Sequence, residues 1–106
     1  MITLGIETSC DDTAFALLKD SKEVLSSVIS SQVSIHQTFG GVVPEIAARR
    51  HLEVLQPLFV KTLTDASVSV AEIDQIAVTQ GPGLIGGVLV GAAFARGLAQ
   101  YKNCPL

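Results

Sequence analysis

The sequence predicts an α/β fold in which a mixed sheet, with elements in the order β-β-β-α-β-α, is flanked by helices. Three observations carry this. Short apolar runs separated by polar turns fill the first thirty residues, the pattern of a strand meander. Apolar residues then recur at helical spacing from Pro44 to about Ala66, and again from Leu84 to Tyr101. Between the two helices lies a single strand-like run, Gln75 to Thr79, so helices and strands alternate as they do when helices cover a sheet. With 106 residues, 48% of them hydrophobic, the chain fits one domain with one modest core.

Taken in order, Ile2–Glu7 and Thr13–Leu18 read as strands joined by the polar loop Thr8-Ser9-Cys10-Asp11-Asp12. Lys19–Lys22 turns the chain into a third strand, Glu23–Ser30, and Ser31–Val43 reads as a loop around Gly40-Gly41. Pro44 suits the first turn of a helix, and Glu45 sits favourably at the positive end of its dipole. Pro57 interrupts the periodicity, so a kinked single helix is expected rather than two unrelated ones. Ser69 and Glu72 have capping-box spacing ahead of the fourth strand. Asn103–Leu106 reads as the start of a further strand.

Composition narrows the partners and the compartment. The net charge of −3 offers no general attraction to nucleic acid. Cys10 and Cys104 form no C-x-x-C and have no paired His nearby, which argues against a disulfide framework or structural zinc and for a reduced, cytoplasmic protein. Met1–Glu7 lacks the basic start of a secretory signal. Gln75–Ala95 carries no charge over 21 residues, yet polar Gln and Thr residues and Gly81-Pro82-Gly83 break it. What remains is shorter than the ~20 apolar residues a bilayer demands, so no membrane span is expected.

Two loops could carry chemistry. Thr8, Ser9, Asp11, Asp12 and Thr13 concentrate hydroxyls, carboxylates and turn amides in the first hairpin. Such a loop can hold a phosphate or hydrated Mg²⁺, or simply satisfy its own backbone as a polar turn. Gly81-Pro82-Gly83-Leu84-Ile85-Gly86-Gly87 joins a strand to a helix. Its amides could cradle an anion, or its glycines could permit a sharp turn and close helix packing. It has neither the lysine of a P-loop nor the G-x-G-x-x-G register. His36 and His51 belong to no H-x-x-x-H or H-E-x-x-H pattern, so hydrogen-bonded structural roles are expected and no metal site within this chain. Glu45 and Arg49 are placed to pair along one helix face. Cys10 reads as a small semi-buried thiol, and no nucleophile-and-base set supports a protease.

The segments G-I-E-T-S-C-D-D-T (Gly5–Thr13), S-Q-V-x-x-H (Ser31–His36), G-G-V-V-P-E-I-A-A-R-R-H (Gly40–His51) and G-P-G-L-I-G-G-V-L-V-G (Gly81–Gly91) occur in this order. Together they resemble the N-terminal third of the bacterial and organellar TsaD family, tRNA N6-adenosine threonylcarbamoyltransferases formerly termed O-sialoglycoprotein endopeptidases. The resemblance implies an actin-like, ribonuclease-H-like ATPase fold of two lobes, with residues 1–106 forming an incomplete first lobe. It implies transfer of threonylcarbamoyl from threonylcarbamoyl-AMP to N6 of adenosine 37 in tRNA by the full-length enzyme. A divalent metal, iron or zinc, and ATP with Mg²⁺ are the implied cofactors there; none is expected for this chain alone, nor is activity. The implied H-x-x-x-H ligands fall beyond Leu106.

Carried over by position, Asp11 and Asp12 would serve the chemistry, and Ser9, Thr13, Gly81 and Gly83 would line the phosphate side of the cleft. Glu45, Arg49 and His51 would support its wall. The family reads C-D-E-T where this chain has Cys10-Asp11-Asp12-Thr13, a carboxylate shortened by one methylene. Alternatives are a non-catalytic scaffold like the paralogue TsaB and another actin-fold phosphotransferase, although the latter's D-x-G-x-T hairpin is not matched.

Both helices carry more apolar surface than a sheet can cover. Ala48, Leu52, Leu55, Phe59 and Leu63 form one stripe, and Ala47, Val54 and Leu58 begin a second; Gly87 and Gly91 would admit a close backbone. A TsaB-like partner on helices 44–66 and 84–101 is the implied occupant, with self-pairing as a homodimer expected of the isolated chain.

Overall fold

The computed structural model describes residues Met1–Leu106. Alternating polarity in the first thirty residues produces three strands, β1 (Ile2–Glu7), β2 (Thr13–Lys19) and β3 (Glu23–Ser30). They form an antiparallel meander in which Leu4 faces Leu17 and Ile6 faces Phe15. A short helix α1 (Val33–Gln37) precedes the long α2 (Pro44–Ala66), and a 3-10 turn (Val70–Glu72) leads into β4 (Gln75–Val78) and then α3 (Ile85–Lys102). β4 runs parallel to β1, so the sheet is mixed with order β3-β2-β1-β4.

Period-2 alternation puts Leu4, Ile6, Phe15, Leu17 and Ile76 on one face of the sheet, where Leu55, Leu58 and Phe59 of α2 and Ala95 and Ala99 of α3 close the core. Phe15, Phe59 and Phe94 meet as a ring trio with centroids 5.3 to 5.8 Å apart, in tilted and edge-on arrangements that aromatic quadrupoles favour. The opposite face, including Thr3, Gly5, Glu7, Ala14 and Ala16 by register, has no helix on it.

Several expectations are met in detail. Pro44 opens α2 with Glu45 in its first turn. The helix continues through Pro57 as one element; the carbonyl of Glu53 that proline leaves unpaired lies on an exposed stretch, where water can satisfy it. Both long helices end on a left-handed residue, Ser67 or Asn103, the C-terminal geometry that captures otherwise free carbonyls. Beyond α3, the carbonyl of Pro105 accepts from the Ile76 amide at 3.0 Å, although Asn103–Leu106, read from the sequence as the start of a further strand, forms none.

Three readings are corrected. The segment 31–43 is not wholly loop, because α1 forms within it without a side-chain cap. Ser69 makes no side-chain cap hydrogen bond; the turn is closed by backbone bonds from Glu72 to Ser69 and from Ile73 to Val70. Ala47 and Leu58, two of the three residues of the second stripe, are buried within the chain and do not face outward.

Candidate functional site

The β1–β2 loop is held at almost every residue. Thr8 is fully buried, and its hydroxyl donates to the Gly87 carbonyl at 2.7 Å. The Ser9 carbonyl accepts from the Leu84 amide at 2.7 Å, which ties the loop to the start of α3. His51, fully buried on α2, makes bonds at both ring nitrogens: Nδ1 meets the Thr13 hydroxyl at 2.7 Å and Nε2 meets the Cys10 carbonyl at 3.0 Å. A carbonyl only accepts, so Nε2 carries the proton and, in the neutral ring, Nδ1 accepts from Thr13. The imidazole therefore clamps the loop on both sides of Asp11 and Asp12.

Glycines make the close approach possible. A Cβ at Gly87 would collide with the Thr8 carbonyl and stand 3.2 Å from His51 Nε2; one at Gly91 would strike the Thr8 hydroxyl. A Cβ at Gly83 would come within 2.5 Å of the Ser9 carbonyl. Close packing is thus what Gly83, Gly87 and Gly91 provide, and the backbone they admit is the chain's own hairpin rather than a partner's. Gly81 faces open space.

Two carboxylates remain available. Oδ1 of Asp12 is buried without a hydrogen-bond partner, a costly state for a polar atom unless something else satisfies it. Asp11 lines a cavity of about 320 Å³ with Val33, His36, Gly40, Gly41 and Val42, and no basic side chain pairs with it. Cys10 is exposed, not semi-buried as the sequence suggested; partial desolvation, reinforced by the neighbouring Asp11 charge, pushes its thiol above the usual range, so Cys10 is not an activated nucleophile.

Glu7, absent from the residues singled out in sequence, closes the other side of the loop. Its carboxylate accepts from the Ser9 amide at 2.5 Å and from the Thr79 hydroxyl at 2.7 Å. Burial acts to raise its pKa, but the hydrogen bonds from Ser9 and Thr79, with a smaller contribution from His51, prevail and hold it below the usual carboxylate value. The signal for it was its position at the end of a strand, on the face that the apolar residues leave.

Of the three supporting residues only His51 reaches the loop. Glu45 and Arg49 pair with each other at 2.6 Å on an exposed surface, a contact that contributes a few tenths of a kcal/mol, roughly. His36 has the hydrogen-bonded role expected of it. Its Nδ1 accepts from the Val43 amide at 3.1 Å and its Nε2 donates to Gln32 Oε1 at 2.7 Å, while Gln32 Nε2 donates to the Ala47 carbonyl at 3.3 Å. Gln32 and His36 are both buried, so this chain of bonds fixes the Gly40-Gly41 corner to the start of α2. With both histidine rings committed at both nitrogens, and no cluster of three His, Cys, Asp or Glu side chains, these residues do not fit a transition-metal site.

Away from the loop, Leu52, Leu55, Leu89, Val90, Ala93 and Phe94 line an apolar groove of about 500 Å³ between α2 and α3. Leu52, Leu89 and Ile85 are strongly exposed. No helix is long and apolar enough to cross a membrane.

A mixed sheet with two helices on one face, and a polar hairpin locked beneath a glycine-rich helix start, make this an α/β protein of the actin-like ATPase fold. The same fold appears in YeaZ from Pseudomonas aeruginosa, with a TM-score of 0.70 at 23% identity over 100% of this chain and 44% of that one. A second structure, described as an uncharacterized protein with similarity to peptidase YeaZ from the same organism, superposes with a TM-score of 0.74 at 25% identity, covering 99% of this chain and 42% of that one. The sequence goes further. The family profile of TsaD, tRNA N6-adenosine threonylcarbamoyltransferase, matches residues 23–106, and the chain belongs to that family. Relatives bearing that name are 56% identical in Trichlorobacter lovleyi and 58% identical in Thermosipho melanesiensis, in each case over 100% of this chain. The chain spans 31% and 32% of their lengths.

Proposed function

We propose that this chain is part of the first lobe of an enzyme that transfers threonylcarbamoyl from threonylcarbamoyl-AMP to N6 of adenosine 37 in tRNA. In that reaction the N6–carbonyl bond forms, the bond from the carbonyl carbon to the phosphate oxygen breaks, AMP leaves and N6 gives up a proton. The observation that carries the reading is the loop clamped by His51 and Glu7, in which Asp12 keeps a buried, unpartnered carboxylate oxygen within a chain more than half identical to named transferases. On this reading Asp12 would hold a hydrated Mg²⁺ beside phosphate, with Ser9 and Gly81 as further contacts; Thr13 is fully buried with its hydroxyl bonded to His51, so it supports the loop and does not line the cleft as the sequence implied. A catalytic iron or zinc would need ligands outside these residues.

The exposed groove between α2 and α3 is the surface offered to a TsaB-like partner, and to a second copy when that partner is missing. A scaffold role is favoured only by the likeness to the YeaZ fold, at 23 to 25% identity, against 56 to 58% for the transferases. The test is to incubate the full-length protein and its TsaB-like partner with threonylcarbamoyl-AMP and an ANN-decoding tRNA, then digest the tRNA for mass spectrometry. Threonylcarbamoyladenosine with release of AMP is expected. Its absence in the presence of the partner overturns the reading.

A further inference from the structure

The cavity beside Asp11 has a chemistry of its own. Its walls combine two partly exposed valines, Val33 and Val42, with the exposed Gln37 and one carboxylate that no cation neutralises. Its far wall is built rather than loose, since in the Val43–His36–Gln32–Ala47 hydrogen-bond chain Gln32, His36 and Ala47 are buried and every member has a partner. Gly41 completes the rim. It has no left-handed φ, and a Cβ there would meet nothing within 4 Å, so neither backbone conformation nor packing inside the chain requires glycine. The missing side chain leaves the mouth of the cavity open.

A cavity of about 320 Å³ whose two hydrophobic residues, Val33 and Val42, stand with Gln37 and a lone carboxylate suits a small aliphatic group carrying a hydroxyl or N–H donor, and the carboxylate repels an anion. Resting on the transfer reaction above, we infer that this cavity reads the amino-acid side chain of the acyl group. The methyl of the threonyl side chain packs on Val33 and Val42, and its hydroxyl donates to Asp11. The acyl carboxylate, held off by the same charge, faces the mouth. The two neighbouring acids then divide the substrate: Asp11 takes the acyl side chain and Asp12 the phosphate side. Asp11 is on this account a specificity-determining residue.

Valine is the discriminating probe, because it replaces the hydroxyl by a methyl at nearly equal volume. The full-length protein with its partner is assayed on threonylcarbamoyl-AMP and valylcarbamoyl-AMP. A site that hydrogen-bonds a hydroxyl rejects the analogue lacking it, so the wild-type protein should favour threonyl by at least about tenfold in kcat/KM. Asp11→Ala should reduce that preference to within about twofold, chiefly through loss of the threonyl reaction. Gly41→Val, which the fold tolerates, should raise KM for threonylcarbamoyl-AMP at least about fivefold by narrowing the mouth. Asp11→Ala that lowers both reactions equally, or Gly41→Val with unchanged KM, overturns the assignment. If Asp11→Ala is too slow to measure on either substrate, Gly41→Val decides alone. No transfer of either acyl group by the wild-type protein overturns the transfer reading itself, whereas transfer without preference overturns only the role of the cavity.

Discussion

A Cβ added at Gly87 or Gly91 would collide with Thr8, whereas one added at Gly41 would meet nothing within 4 Å. Both regions are glycine-rich corners beside the same hairpin, yet the first is pressed onto it and the second stands clear of it. Glycine in the α3 corner is therefore explained by the chain's own packing. At Gly41 it keeps open a space that the chain does not fill. The contrast separates the part of the site that holds the fold from the part that meets a ligand.

The largest expected effect lies in the packed corner. Gly87→Val should destabilise the chain by at least about 3 kcal/mol, because backbone rather than a flexible side-chain end stands in the way. Gly41→Ala should stay within about 0.5 kcal/mol. Urea denaturation of both variants measures the difference, and equal losses would erase the distinction between the two corners.

Next is the clamp. His51→Ala removes the partner of both the Cys10 carbonyl and the Thr13 hydroxyl, and leaves a void in a fully buried place. A loss of about 3 kcal/mol is expected. A loss below 1 kcal/mol, roughly the net worth of one ordinary hydrogen bond, would mean that the hairpin holds its shape without the imidazole.

The smallest effect is a pH dependence. Glu7 has a folded-state pKa below its unfolded value, so its contribution to stability is present above the ordinary carboxylate range. It is lost as pH falls through the folded value. Glu7→Gln should therefore be less stable than wild type near neutrality and should lose less stability on acidification. Chemical denaturation at a series of pH values compares the two, and parallel acid limbs would contradict the assignment.

Much of the framework was readable because periodicity and punctuation agree. Ile2–Glu7, Glu23–Ser30 and the start of α2 at Pro44 lie where the sequence places them. Other features depend on contacts distant in sequence. The segment Val33–Gln37 has no capping signal, and its helix is supported by the tertiary chain of bonds through His36 and Gln32. Gly87 and Gly91 share a face that periodicity detects, but only the fold shows that Thr8 lies against it. Ala47 falls on an apolar stripe like Val54, yet it is buried, and its carbonyl accepts from the Gln32 side chain. In the site, Asp11, Asp12 and His51 could be named from motifs, while Glu7 emerged from its two hydrogen bonds across the sheet.

The central claim is that the clamped hairpin presents a carboxylate for chemistry rather than for stability. Asp12 states it most sharply, since its buried oxygen has no partner within the chain, and functional groups of this kind detract from stability. The deciding measurement pairs the denaturation midpoint of Asp12→Ala with threonylcarbamoyl transfer by the full-length variant. Stability equal to or above wild type, together with a fall in transfer of at least about a hundredfold, is the predicted result. A variant that loses more than about 1 kcal/mol while transfer continues unchanged would show that Asp12 belongs to the fold and not to the reaction.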